Sequence, residues 1–178
     1  MPAFNKALGF TLIELLIALS LASTVIGVFI VPAYFQWLRN AQLEIKARQL
    51  FATLQFARSL AMQQRIPVTV CPSDNRKSCG GNWREGWIVL MHAADGVPQV
   101  ARIDSGLFPR QSLIWKGARG ITAVQLRPFG TSAGHNGRFV LCAKDSKIAW
   151  MVFVSHTGRL RLECSRDLLG CASFTLSN

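Results

Sequence analysis

Acidic side chains are scarce in this 178-residue chain: nine Asp and Glu stand against 20 Lys and Arg, a formal charge of +11. From Arg110 onward the only acids are Asp145, Glu163 and Asp167, while ten of the basic residues fall there, so the C-terminal part is basic in its own right. Such an imbalance favours polyanions, whether nucleic acid, lipopolysaccharide or an acidic partner subunit, without choosing among them. Histidine is equally rare. His92, His135 and His156 all fall in stretches that read as loops, and their separations make no Ser-His-Asp arrangement. No glycine-rich loop leads from a strand into a helix, as phosphate cradling requires; the three glycines from Gly130 to Gly137 read as a flexible hairpin connection. Paired CxxC spacing is missing, which argues against zinc. An enzyme, a metal centre and a bound cofactor are therefore not expected. With no internal repeat and no low-complexity linker, the length fits one domain and some chain left over for a membrane element.

Glycine and proline are absent from Ala33 to Ile66, and good helix formers dominate that stretch. Leu43, Ala47, Leu50, Phe51, Leu54, Ala57 and Ala61 recur at three- and four-residue steps, which predicts an amphipathic helix with one apolar stripe. Arg39, Lys46, Arg48, Arg58 and Arg65 fall mostly off it. Pro67 predicts the helix end, because the residue before a proline is pushed toward extended dihedrals.

Charge is what the preceding segment lacks. Phe10 to Val31 is 22 residues long and carries a single charged group, Glu14. As a helix it spans about 33 Å, enough for the hydrocarbon core of a bilayer. Lys6 before it and Arg39, Lys46 and Arg48 after it do not orient it by charge. A secretory signal needs a shorter apolar region and a small-x-small site, for which Ala22-Ser23-Thr24 is a poor match. A carboxylate inside a membrane span is costly unless a partner neutralises it, so Glu14 marks a function. Protonation or snorkelling near the headgroups is the local alternative; a free amine at Phe10 is the sharper one.

Beyond Pro67 the sequence breaks into short strand-like runs: Val68 to Cys71, Gly86 to Met91, Gln99 to Ile103, Ser112 to Trp115, Ile121 to Leu126, Arg138 to Ala143, Ile148 to Ser155, Arg159 to Glu163 and Ala172 to Leu176. Turn signals separate them, among them Asp95-Gly96, Lys116-Gly117, His135-Asn136-Gly137 and His156-Thr157-Gly158. The runs 138–143, 148–155 and 159–163 predict an antiparallel meander. Blurred alternation from Ile148 to Val154 suggests burial on both faces. Five cysteines leave at least one unpaired within the chain. Cys71 and Cys79 bracket a polar loop that a disulfide would staple, worth about 2–4 kcal/mol. Cys164 and Cys171 close a similar loop, or either reaches back to Cys142.

The string Gly9-Phe10-Thr11-Leu12-Ile13-Glu14-Leu15 resembles the cleavage and methylation signature of type IV pilins and type II secretion pseudopilins. The resemblance implies that a prepilin peptidase cuts after Gly9, that Phe10 is then N-methylated, and that Glu14 pairs with the Phe10 amine of a neighbouring subunit during assembly. Further on, Arg65 to Ser73, Cys79, Gly86-Trp87-Ile88-Val89 and Val152 to Arg161 resemble the GspH/FimT family of minor pilins and pseudopilins. This implies an α+β, pilin-like fold, with a long N-terminal helix on a small antiparallel two-sheet domain. The expected organisation is a cleaved leader 1–9, a transmembrane and filament-core helix 10–32, an amphipathic helix 33–66 and a β domain 67–178. Pro32 stands one residue later than the proline common in such pilins. The implied location is the bacterial inner membrane, with the β domain periplasmic. The implied partners are major and minor pilins or pseudopilins, the peptidase and methyltransferase, and an inner-membrane assembly platform.

Arg159 and Arg161, two apart on a strand, project from one face while Leu160 turns inward. Arg138, Lys144, Lys147 and Arg166 are near in sequence and extend the patch, a surface suited to phosphate contacts. Trp150 and Phe153 are candidates for stacking on bases, although strand aromatics more often pack in the core. In the FimT branch a GRxR motif carries DNA binding in natural transformation, and Gly158, Arg159 and Arg161 fit it residue by residue. The resemblance thus implies a DNA-binding minor pilin, a minor pilin that primes pilus assembly, or a GspH-type pseudopilin of type II secretion.

Overall fold

The computed structural model describes residues 11–92, 96–132, 134–144, 146, 148–166 and 171. The chain divides into two compact units, 1–38 and 39–178. In the first, helix α1 (Leu12–Val25) opens on Thr11, whose hydroxyl accepts from the Glu14 N–H at 3.4 Å. A threonine cap with an acid three residues on satisfies a free N–H and places negative charge at the positive end of the helix. The apolar side chains of α1 are exposed all round. Ser20 and Ser23 donate their hydroxyls to the carbonyls of Ile17 and Ser20, hiding their polarity within the helix. The continuous helical stretch Leu12–Gln64, of which α1 is the start, contains a run long and apolar enough to cross a membrane.

One π-helical turn, Ile26–Ile30, separates α1 from α2 (Val31–Gln64). Pro32 has no N–H to offer the carbonyl four residues back, and its ring crowds that carbonyl; a wider turn just before it relieves both. The irregularity thus precedes Pro32, and no helix boundary falls at 32/33. Nor does the helix reach Ile66: it ends at Gln64, and Arg65 adopts a left-handed φ of 55°.

In the second unit, Leu43, Ala47, Leu50, Leu54, Ala57 and Ala61 of α2 are fully buried, the stripe that the helical period predicts. They meet two antiparallel four-stranded sheets. The first contains β1 (Val68–Pro72), β2 (Gly86–His92), β3 (Pro98–Ser105) and β5 (Val124–Leu126), in the order β3-β2-β1-β5. The second contains β4 (Gln111–Gly117), β6 (Gly137–Ala143), β7 (Ala149–Val154) and β8 (Leu160–Ser165), in the order β4-β6-β7-β8. β4 joins the second sheet before β5 returns to the first, so the chain laces the two together. Val70, Trp87 and Leu126 from one sheet and Phe139, Leu141 and Val152 from the other share a single core with α2. The expected α+β architecture and the β6-β7-β8 meander are both present. The run from Ile121 shrinks to β5, because Ala118–Gly120 forms a 3-10 turn first. The expected strand Ala172 to Leu176 lies outside the described residues.

One buried polar cluster joins α2 to β3. Asp104 accepts from Thr53 Oγ1 at 2.7 Å, Gln49 Nε2 at 3.0 Å and Arg102 Nε at 2.8 Å. Burial alone raises its pKa, but the hydrogen bonds from Arg102, Gln49 and Thr53 and the Arg102 charge outweigh burial and hold the carboxyl below its usual range. Lys46, expected mostly off the stripe, is buried instead, donating to Ser105 Oγ at 3.1 Å with Phe108 beneath it. Its burial lowers its pKa, and the Asp104 charge only partly offsets that.

Candidate functional site

The hairpin between β7 and β8 places the two arginines. Gly158 N–H donates to the Ser155 carbonyl at 2.8 Å, and Ser155 N–H to that of Arg159 at 3.0 Å. Gly158 has φ +74°, and a Cβ there would strike the carbonyl oxygen of Gly130. Glycine is therefore required twice at this position, by its dihedral and by the close approach of another backbone. Past the turn, Arg159 is exposed, Leu160 packs on the core and Arg161 is exposed again.

Strand register turns this pair into a larger feature. Arg161 lies opposite Phe153 of β7, Phe153 opposite Arg138 of β6, and Arg138 opposite Lys116 of β4. Residues directly opposite in paired strands share a face, so Lys116, Arg138, Phe153 and Arg161 form one row across the whole sheet. At about 4.8 Å per strand the row is roughly 14 Å long. Lys116, Arg138 and Arg161 are exposed and Phe153 is half-buried. Arg161 has one acidic neighbour, Glu163 at 3.4 Å, and its side chain remains 61% exposed; so loose a pair leaves the guanidinium available to an anion. The Arg161 guanidinium also lies 5.6 Å from the Phe153 ring centre. Gly137, Phe153, Val154, Ser155, Arg159 and Arg161 line an open hollow of about 310 Å³. Arg159 borders a second hollow of about 360 Å³ with Gln55, Arg58, Ser59 and Met62 of α2.

The basic residues grouped by sequence do not all meet here. β6 and β8 both start at the end of the sheet that holds Arg138, Arg159 and Arg161. Lys144 and Arg166 lie past the finishing ends of the same strands. Six residues of strand put Lys144 about 20 Å from Arg138, so Lys144 and Arg166 belong to the opposite end. Lys147 lies outside the described residues. Lys116 completes the row without having been a candidate, because only the pairing of β4 with β6 makes it a neighbour. Of the two aromatic candidates, Trp150 packs against the core, opposite Leu141, and Phe153 faces outward.

The structure bonds Cys71 to Cys79 and Cys142 to Cys171, with Cα–Cα distances of 5.5 and 6.0 Å, and leaves Cys164 free and exposed. His92 Nε2 is 2.9 Å from Thr69 Oγ1 and His135 Nδ1 is 3.0 Å from the Ala123 carbonyl, both structural contacts. Glu14 is exposed in the first turn of α1; Gly9 and Phe10 lie outside the described residues.

Two family models match the chain: type II transport protein GspH over residues 46–158, and the prokaryotic N-terminal methylation motif over residues 4–30. Among solved structures, the fold is similar to the type IV minor pilin FimU of Pseudomonas aeruginosa, with a TM-score of 0.57 and 21% identity over 71% of this chain and 92% of that one. It is also similar to the minor pseudopilin EpsH from the type 2 secretion system of Vibrio cholerae, with a TM-score of 0.55 and 15% identity over 68% of this chain and 96% of that one. Comparison with curated protein sequences finds no significant match.

Proposed function

The chain belongs to the family of type II transport protein GspH, and we propose that it is a minor subunit of a type IV pilus that binds DNA without sequence preference during DNA uptake. The apolar α1 anchors it in the inner membrane before assembly, with the β domain in the periplasm. Removal of residues 1–9 exposes the Phe10 amine, and Glu14 of the adjoining subunit pairs with it. Two charges costly alone in hydrocarbon become tolerable together, which couples departure from the membrane to correct docking. Cleavage, methylation and the work of assembly are done by other proteins: the peptidase and methyltransferase and the assembly platform.

The observation that carries DNA binding is the row of Lys116, Arg138 and Arg161 across one sheet face, with Arg159 beside it. Its length of about 14 Å equals roughly four steps of the 3.4 Å axial rise of duplex DNA. Cations on such a row contact phosphates and not base edges, so binding is indifferent to sequence and sensitive to salt. The full chain in non-ionic detergent, titrated with a labelled 30-base-pair duplex at several salt concentrations, tests this. Arg159→Ala with Arg161→Ala should weaken binding about tenfold or more and reduce the salt slope by about two. Lys144→Ala with Arg166→Ala, at the far end, should do much less. Binding that ignores Arg159 and Arg161 would refute the reading.

The family match itself favours a second reading, a pseudopilin of type II secretion. A deletion strain scored for transformation, twitching and exoprotein release separates the two. Loss of release alone marks the secretion subunit; loss of twitching with transformation marks a pilin that primes assembly.

A further inference from the structure

The loop before β6 holds an aromatic side chain in a place where it packs on almost nothing. Phe129 is 88% exposed, more than any other large apolar residue described, those of α1 included. A single exposed apolar residue needs no explanation on a mobile tip, but this tip is pinned. Gly130 N–H donates to the Arg127 carbonyl and Arg127 N–H to that of Thr131, both at 2.8 Å. Pro128 and Phe129 are the two central residues of that turn, with proline where its φ is already set. The turn is fastened on two sides. Arg58 Nε of α2 donates to the Gly130 carbonyl at 3.1 Å. Ser132, wholly buried, donates its hydroxyl to the Ser155 carbonyl at 2.7 Å and its N–H to that of His156 at 3.1 Å. Gly130 rests directly on Gly158, the residue before Arg159. The backbone that carries Phe129 is thus held in place, with Arg127 in the same turn, Arg58 bonded to it and Arg159 next to the glycine on which it rests.

We infer that Phe129 stacks on an unpaired base of the strand whose phosphates lie along the basic row, so that the ligand is single-stranded DNA or the frayed end of a duplex. This rests on the DNA-binding reading above. The Phe129–Gly130, Gly130–Gly158 and Gly158–Arg159 steps put the Phe129 and Arg159 backbones within about 12 Å, so one short stretch of strand reaches both. Charge complementarity selects this occupant: three guanidiniums beside one bare ring suit a ligand that alternates anionic groups with flat apolar ones.

The full chain in detergent is titrated with three labelled oligonucleotides: a single strand of mixed sequence, a duplex closed at both ends by non-nucleotide linkers, and an abasic strand with the same number of phosphates. Phe129→Ala should weaken binding to the single strand on the order of tenfold, leave the closed duplex and the abasic strand unchanged, and leave the salt slope unchanged because no charge is removed. Phe129→Trp should retain or tighten single-strand binding. Near-UV circular dichroism of both variants should match the parent. No effect of Phe129→Ala on any ligand, or an equal loss on all three, overturns the inference while leaving the phosphate row standing. If Arg159→Ala with Arg161→Ala changes none of the three, the DNA-binding reading fails and the inference with it.

Discussion

Asp104 offers the most quantitative test of how the helix is held on the domain. It is 7% exposed and accepts hydrogen bonds from two residues of α2 and from Arg102. In Asp104→Ala, Thr53 finds another partner, since its hydroxyl can turn to the Gln49 carbonyl 2.9 Å away. The Gln49 amide loses its acceptor, and Arg102, 36% exposed on its side chain, turns to water. One stranded, half-buried donor costs about 1 kcal/mol, and the charge-assisted bond and lost packing bring the total to about 3 kcal/mol. For a domain of this size that is a fall in Tm of roughly 10 °C. Asp104→Asn keeps the shape and one acceptor and should lose about half as much. The carboxyl is held below its ordinary pKa in the fold, so its stabilisation is complete above the unfolded value of about 3.9 and disappears as pH falls through the folded value. Thermal unfolding of the full chain in detergent, followed by near-UV circular dichroism, should therefore show a gap between parent and Asp104→Asn that is constant above about pH 4 and narrows as pH falls below it. A gap as wide at pH 3 as at pH 7, or an alanine variant within about 1 kcal/mol of the parent, refutes the reasoning.

Gly158→Ala combines a left-handed φ with a collision against the Gly130 carbonyl and should cost about 2–4 kcal/mol. It should also weaken DNA binding with every arginine still present; a variant of parental Tm would show that the two loops do not need to touch. Serine replacement of Cys142 and Cys171, which close 29 residues, should cost about 3.6 kcal/mol, against about 2.5 kcal/mol for Cys71 and Cys79, which close eight. Thermal melts of the two double variants check the order, and its reversal would locate the stabilisation elsewhere than in chain entropy.

The helix and the meander were legible because each is governed by near-neighbour pattern. A stripe at three- and four-residue steps has one reading, and β6, β7 and β8 are separated by short polar turns. Register between strands distant in sequence is not written in that way. Lys116 faces outward on β4 by alternation, but nothing local says that β6 lies beside it, 22 residues further on. Closeness along the chain likewise groups Lys144 and Arg166 with Arg159, but a strand of six or seven residues carries its two ends about 20 Å apart. Lys46 was misplaced because the helical period only says that it borders the stripe. What buries it is Ser105, brought up by β3. The glycines from Gly130 onward read as slack, yet Gly130 is buried, where a Cβ would meet Met62 and Arg58.

That last point divides the labour inside Gly158-Arg159-Leu160-Arg161. The glycine is explained by packing alone: its backbone lies on Gly130, and any side chain would lift the Phe129 turn from the hairpin. Leu160 is explained by the core. Neither arginine has a structural duty of comparable weight: Arg161 makes a loose ion pair with Glu163 and lies over the Phe153 ring, and Arg159 borders two open hollows. The glycine and the leucine serve any structural subunit, whereas the arginines are the part that the proposed anionic ligand would use. Replacing Arg159 and Arg161 together should therefore leave Tm and filament incorporation unchanged while DNA binding falls, whereas Gly158→Ala lowers all three.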